Sequence, residues 1–184
     1  MMLKAMYPLN PMMDRRLLRI GYDGSRILNL GAGINPIEGA TNHDLYPKAG
    51  IQLTFSVTDI PWPISDGEYE KVLAFHLIEH IPIENLNSFF QEVKRVLVPG
   101  GVFIAETPDI GMLCKEYLSG NMNALRFIYS RATPPGDAHV WGHTAESLAT
   151  LAYANGFAFA LTKPGTDYHA DQMGTVRLEA VRGA

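Results

Sequence analysis

Two stretches of the 184-residue chain hold residue types whose spacing suits chemistry. The first runs from Arg26 to Pro47. Its apolar strand Ile27-Leu28-Asn29-Leu30 leads straight into Gly31-Ala32-Gly33, and a second short strand ends on Asp44. Glycines there let the backbone turn sharply and approach a ligand that a Cβ would repel. An acidic residue at the tip of the neighbouring strand is placed to accept hydrogen bonds from two ribose hydroxyls. The stretch reads as a nucleoside cradle, with an ordinary tight turn as the plainer alternative. The full fingerprint G-x-G-x-x-G is missing because Pro36 holds its last position, and this disfavours a nicotinamide enzyme.

The second stretch is His76-Leu77-Ile78-Glu79-His80-Ile81-Pro82. As a bare string it matches H-x-x-E-H, the inverted zinc-protease motif, whose two histidines must share one face of a continuous helix. Here the string follows a strand directly and is cut by Pro82, so a protease is disfavoured. Farther along, Asp137-Ala138-His139-Val140-Trp141-Gly142-His143 is rich in polar and aromatic residues for a plain connector.

These residues must be positioned by the elements around them. Asn10-Pro11 predicts a helix start, with Met12, Met13, Leu17, Leu18 and Ile20 as its apolar side. Only ten residues separate Leu30 from Thr41, too few for a full crossover helix. Strands are expected over 51–57 and 71–76. A helix over 84–97 is set by Leu86, Phe89, Phe90, Val93, Val96 and Leu97 and stops at Pro99-Gly100-Gly101; a strand over 102–107 follows. Residues 109–131 are expected to be helical in two pieces broken at Gly120, forming a cover, and Thr133 to Gly136 a loop. Thr144 caps a helix ending at Asn155-Gly156, and 157–163 and 175–181 are the last strands.

The length suits one domain, 1–184, with no internal repeat. The hydrophobic content of 47% and charged content of 18% are those of a globular protein, and the net charge of -4 weighs against a large nucleic-acid footprint. Cys114, the only cysteine, leaves no internal disulfide and fits a reducing cytosol. No apolar run reaches bilayer length and the first residues lack the apolar core of a signal peptide, so the expectation is a cytoplasmic protein without a membrane partner.

The stretch from Arg26 to Asp44 resembles motif I of the class I S-adenosylmethionine-dependent methyltransferases. Two further segments match the same family: Pro61 to Val72 resembles its LPFPDNSFDVV run, with Trp62 in the aromatic slot and Glu70 where aspartate is usual, and Lys94 to Asp109 resembles its RVLKPGG segment and following strand. The resemblance implies an α/β, Rossmann-like fold. Its seven-stranded sheet is mostly parallel with an antiparallel last strand and has helices on both faces, with 1–25 a helical extension and 108–143 the active-site cover. It implies S-adenosylmethionine or S-adenosylhomocysteine over Asn29, Gly31, Ala32 and Gly33, with Asp44 and Leu45 at the ribose, Asp59 and Ile60 at the adenine, and His76 at the methionine end. The short crossover after motif I departs from the family plan.

The histidine stretch is similar to the E-x-x-E-H string of small-RNA 2′-O-methyltransferases and certain ubiquinone-pathway O-methyltransferases, whose side chains bind a divalent metal; His76 replaces the first glutamate. The RNA enzymes add a later histidine, matched by His139. The carried-over metal set is His76, Glu79, His80 and His139, which suits zinc, iron, manganese or nickel better than magnesium. Without a metal, His80 or His139 serves as general base and Glu79 orients the loop. Trp141 and His143 read as a clasp for the loop. Tyr168, His169 and Asp171 read as solvated turn residues, with an acceptor pocket as the alternative. Arg126, Tyr129 and Arg131 can meet an anionic acceptor. The expected function is methyl transfer to oxygen or nitrogen of a small polar acceptor such as a sugar or metabolite. The alternatives are an RNA or nucleotide ribose 2′-O-methyltransferase and a non-catalytic cofactor-binding subunit.

Overall fold

The computed structural model describes residues 24–130, 137–166 and 174–184. The expected N-terminal helix, the loop at 133–136, Arg131, and Tyr168, His169 and Asp171 lie outside them. Seven strands form one sheet: β1 (Ile27–Leu30), β2 (Thr41–Asp44), β3 (Leu53–Thr54), β4 (Tyr69–Phe75), β5 (Leu97–Pro108), β6 (Phe157–Pro164) and β7 (Thr175–Arg182). Their order is β3-β2-β1-β4-β5-β7-β6. The pairs from β3 to β5 are parallel, and β7 runs antiparallel to both β5 and β6. Parallel strands end on the same edge, so the turns after β1, β2, β3, β4 and β5 converge there.

The helices are α1 (Ile83–Val96), α2 (Ile110–Leu118), α3 (Ala124–Tyr129) and α4 (Ala145–Ala154). Leu86, Phe89, Phe90, Val93 and Val96 give α1 one apolar side, and it joins Leu148 and Ala152 of α4 in a single core with Leu28, Val72, Ala74, Phe103 and Leu178. Phe103 sits edge-on to Phe90 at 5.4 Å between ring centroids. The alternate residues of the same strands, Ile27, Leu73, Phe75 and Ile104, make a smaller core with Ile37 on the opposite face. Thr144 and Ser147 form a reciprocal capping box at the start of α4. Gly120 separates α2 from α3, as the break in the pattern predicts. No helix among the described residues is long and apolar enough to cross a membrane.

Two polar devices replace what the short crossovers lack. No helix joins β1 to β2, which leaves backbone groups between them without helical partners. The Asn42 side chain supplies these partners: its Oδ1 accepts from Ile37 N at 2.8 Å and its Nδ2 donates to the carbonyls of Ile37 and Ala40 at 2.9 and 3.2 Å. Downstream, the Arg95 guanidinium bonds both oxygens of Glu92 and the carbonyls of Ile64 and Trp62, and Glu92 also accepts from Trp62 N. This clamp seats the Pro61–Asp66 loop, and it makes Trp62, 3% exposed, part of the core. β3 is shorter than the expected 51–57: β2 ends at Asp44, so the ladder offers nothing beyond Thr54, and Ser56 to Asp59 turn instead. β5 starts earlier than expected because Leu97, the first residue after α1, already pairs with Tyr69.

Candidate active site

The glycine loop spends its own donors internally. Ala32 N donates to His43 O at 2.8 Å, Gly33 N to Asp44 Oδ2 at 2.8 Å, and Gly31 N to His43 Nδ1 at 3.4 Å. With three consecutive N–H groups engaged, the loop offers no nest for a pyrophosphate, and a ligand without phosphate is the better fit. Gly31 and Gly33 have φ of +64° and +57°, a region costly for other residues. A Cβ on Gly31 would stand 3.0 Å from Leu77 Cδ1, so the glycine also lets the loop after β1 close against the turn after β4.

Asp44 ends β2 and is 7% exposed. Burial alone would raise its pKa, but the backbone N–H groups of Tyr46 and Gly33 and the Lys48 ammonium outweigh it and hold the carboxyl below its usual range. It therefore presents a fixed anionic acceptor at the strand tip. Leu45, Asp59 and Ile60 are exposed along the same edge. Asn29 has a different place: it is 2% exposed and donates to Asn42 Oδ1 at 2.9 Å, beneath the crossover rather than over it. The side-chain alternation of β1 turns Asn29 toward the smaller core's side, where the helix-free crossover needs the bond.

The second half of the site follows β4. His76 takes a left-handed conformation, φ 52°, and Ile78–His80 form one 3₁₀ turn, too short for the continuous helix that a zinc protease needs. Glu79 is 1% exposed and its Oε1 meets His76 Nδ1 at 3.1 Å. The loop holding His139 is pinned over it by Val140 N and Trp141 N, which both donate to the Glu79 carbonyl, at 2.9 and 3.2 Å. His139 Nε2 stands 3.9 Å from Glu79 Oε1, and the His80 and His139 rings meet edge to face at 4.9 Å. Burial would raise the Glu79 pKa, but the His76 hydrogen bond and the charges of His76, His80 and His139 hold it at about 2. Burial lowers His139 below the ordinary histidine value, with Glu79 opposing, so its ring is neutral at physiological pH.

Both outer imidazoles have their tautomer set. Nδ1 of His80 faces the carbonyl of Ala138 at 3.0 Å and Nδ1 of His139 that of Phe127 at 2.8 Å. A carbonyl can only accept, so each Nδ1 carries a hydrogen, which in a neutral ring leaves the lone pair on Nε2. Glu79, His80 and His139 bring ligand atoms within 4.8 Å of one another, and Glu79 Oε2 is buried without a hydrogen-bond partner among the described residues. This is a donor set of the kind that holds a transition metal, with His76 behind it on the carboxylate. His143, 2% exposed, bonds the Ile78 carbonyl and acts as the clasp its loop requires.

Beside this cluster, α2, α3 and the ends of β6 and β7 enclose a cavity of about 980 Å³. Asp109, Glu116, Arg126, Phe127, Lys163 and Thr175 are among its walls, and none of the glycine-loop residues is. Phe127, whose carbonyl orients His139, links the cavity to the cluster. Tyr129 is exposed at the end of α3. Sequence reasoning missed His43, Asn42 and Arg95; the signal for the first two was polar residues at buried positions of a strand.

Residues 31–105 match the methyltransferase domain family. Over 143 residues, 78% of this chain, the sequence is 27% identical to a Mycolicibacterium smegmatis protein described as a "probable S-adenosylmethionine-dependent methyltransferase"; the chain spans 44% of that relative's length. The fold is similar to that of a SAM-dependent methyltransferase from Archaeoglobus fulgidus, with a TM-score of 0.64, 13% identity, and coverage of 92% of this chain and 93% of that one. It is also similar to 1,6-didemethyltoxoflavin-N1-methyltransferase of Burkholderia thailandensis, whose structure holds 1,6-didemethyltoxoflavin and S-adenosylhomocysteine, with a TM-score of 0.60, 13% identity, and coverage of 96% and 78%. The motif matches at the strand ends, the strand order and these likenesses agree: residues 31–105 match a methyltransferase domain, and the fold around them is that of the class I S-adenosylmethionine-dependent methyltransferases.

Proposed function

We propose that the chain transfers the methyl group of S-adenosylmethionine to an oxygen or nitrogen of a small polar acceptor. The observation that carries this reading is the contact of two walls: the glycine loop closes on Leu77 while the next residues, through Glu79 and His80, turn a carboxylate and imidazoles toward the same edge. The methyl donor's leaving group is already activated, so alignment and proton removal are what remain to be supplied. As the acceptor attacks, the carbon–oxygen or carbon–nitrogen bond forms and the carbon–sulfur pair returns to sulfur. The acceptor proton goes to Nε2 of His139 or His80, and Glu79 stabilises the imidazolium that results. The Burkholderia neighbour's bound S-adenosylhomocysteine supports the cofactor, and the cavity beside His139 has the size of a small-molecule site.

A metal-assisted version of the same reaction is favoured by one observation, the gathering of Glu79, His80 and His139 ligand atoms within 4.8 Å of one another, with Glu79 Oε2 buried and without a hydrogen-bond partner among the described residues. Glu79, His80 and His139 would hold the ion, and zinc, iron, manganese or nickel would supply Lewis acidity toward the acceptor hydroxyl. Turnover of S-adenosylmethionine to S-adenosylhomocysteine over a panel of sugars, phenols, amines and oligonucleotides tests the proposal. Product with a small acceptor supports it; product only with oligonucleotides moves the activity to RNA, and none with any acceptor favours a non-catalytic subunit.

A further inference from the structure

His43 lies under the proposed cofactor site and joins the glycine loop to the segment after β3. It is 1% exposed, on β2 immediately before Asp44. Its Nε2 is 2.8 Å from the carbonyl of Phe55, on the segment after β3 that leads to Asp59 and Ile60. Its Nδ1 faces Gly31 N, and its ring packs on the Phe55 ring at 4.0 Å between centroids. The carbonyl only accepts and the amide only donates, so the tautomer is determined: hydrogen on Nε2, lone pair on Nδ1.

We propose that His43 is a positioning residue for cofactor binding and that its protonation unlatches the glycine loop. A proton on Nδ1 turns the acceptor of the Gly31 N–H into a donor, so two N–H groups face each other at hydrogen-bond range. The bond to Phe55 survives, and the link from Phe55 to the glycine loop does not. Ligand binding then favours the neutral ring, and by linkage the affinity falls as pH drops through the range where His43 takes up its proton. Burial places that range below the ordinary histidine value of 6.5, with the Phe55 carbonyl and the Asp44 carboxylate pulling the other way. Asp44 is the ionisable group acting on the ring, from its own strand; the glycine loop contributes none, and Asp59, beyond Phe55, is exposed.

The inference rests on the cofactor reading above, and the test separates the two. The full chain is titrated calorimetrically with S-adenosylhomocysteine across about pH 5 to 8, beside His43→Gln, whose amide accepts and donates without titrating. His76, His80 and His139 stay in both proteins, so their titration cancels in the comparison. The expected result is affinity weakening about tenfold per unit below the His43 pKa in the native chain, and by less than about twofold overall in the variant. Equal pH dependence in both, or none in the native chain, overturns the latch. Absence of binding by the native chain at any pH overturns the cofactor reading instead. Should His43→Gln fail to fold, ring nitrogen shifts of His43 decide: a midpoint lowered by the ligand supports the latch, and an unmoved one refutes it.

Discussion

His139 Nε2 lies 3.9 Å from Glu79 Oε1, although the two residues come from loops on either side of α1 and β5. The approach is enforced by the backbone: Glu79's own carbonyl receives the N–H groups of Val140 and Trp141, which follow His139 directly. A carboxylate held near pKa 2 thus faces a neutral imidazole across a gap a proton or an ion can bridge.

Replacing His139 or His80 by alanine removes the proposed base and leaves the glycine loop intact. Turnover should fall by about 10²–10⁴-fold for whichever residue takes the proton, with S-adenosylhomocysteine affinity unchanged within about twofold. Steady-state kinetics beside calorimetry separates the effects; turnover undiminished in both variants refutes the assignment.

Glu79→Gln removes the charge that raises the His139 pKa. The acid limb of the pH–rate profile should therefore move to lower pH, along with a drop in turnover. A limb that stays in place would show that His139 is not the titrating base.

The metal-assisted version predicts that chelation abolishes turnover and that zinc, iron, manganese or nickel restores it in the native chain but not in Glu79→Ala. Full activity of a chelated sample, checked by elemental analysis, leaves the histidines as metal-free bases.

Stability should decline on acidification in two stages. His43, His139 and His143 have folded pKa values lowered from 6.5, mainly by burial, so the unfolded chain takes up protons that the folded chain refuses, and stability falls as pH drops below about 6.5. Glu79 is shifted from 4.5 to about 2, so its contribution is present above 4.5 and is lost as pH falls toward 2. Denaturant melts from neutral to acid pH check both stages.

Much of this was legible in the sequence. The apolar spacing of Leu86 to Val96 and the Thr144 cap are local signals, and those helices lie where they predict, whereas Pro99-Gly101, read as a break before the next strand, lies inside β5. The strand-end residues Gly31, Gly33 and Asp44 also lie together as their spacing implied. What the sequence hid is long-range and polar: the Asn29–Asn42 bond, the Arg95 clamp and the His43 bridge each join segments whose partners no periodicity reveals. The length of β3 was hidden for the same reason, since it depends on where its neighbour stops.

Asn42 illustrates the cost of such a residue. Asn42→Leu would orphan backbone groups of Ile37 and Ala40 and the Asn29 amide, and should destabilise by about 2–4 kcal/mol, read as a lowered Tm. A loss below about 0.5 kcal/mol would mean that solvent satisfies those groups.

The most direct test of the whole account is calorimetric titration of the folded native chain with S-adenosylhomocysteine at neutral pH, alongside Gly31→Ala, whose new Cβ would press on Leu77 at a φ of +64°. The account predicts one saturable site in the native chain and affinity weakened at least about tenfold in the variant. A folded native chain that gives no binding heat at any practical ligand concentration, and no shift in its melt, would contradict it.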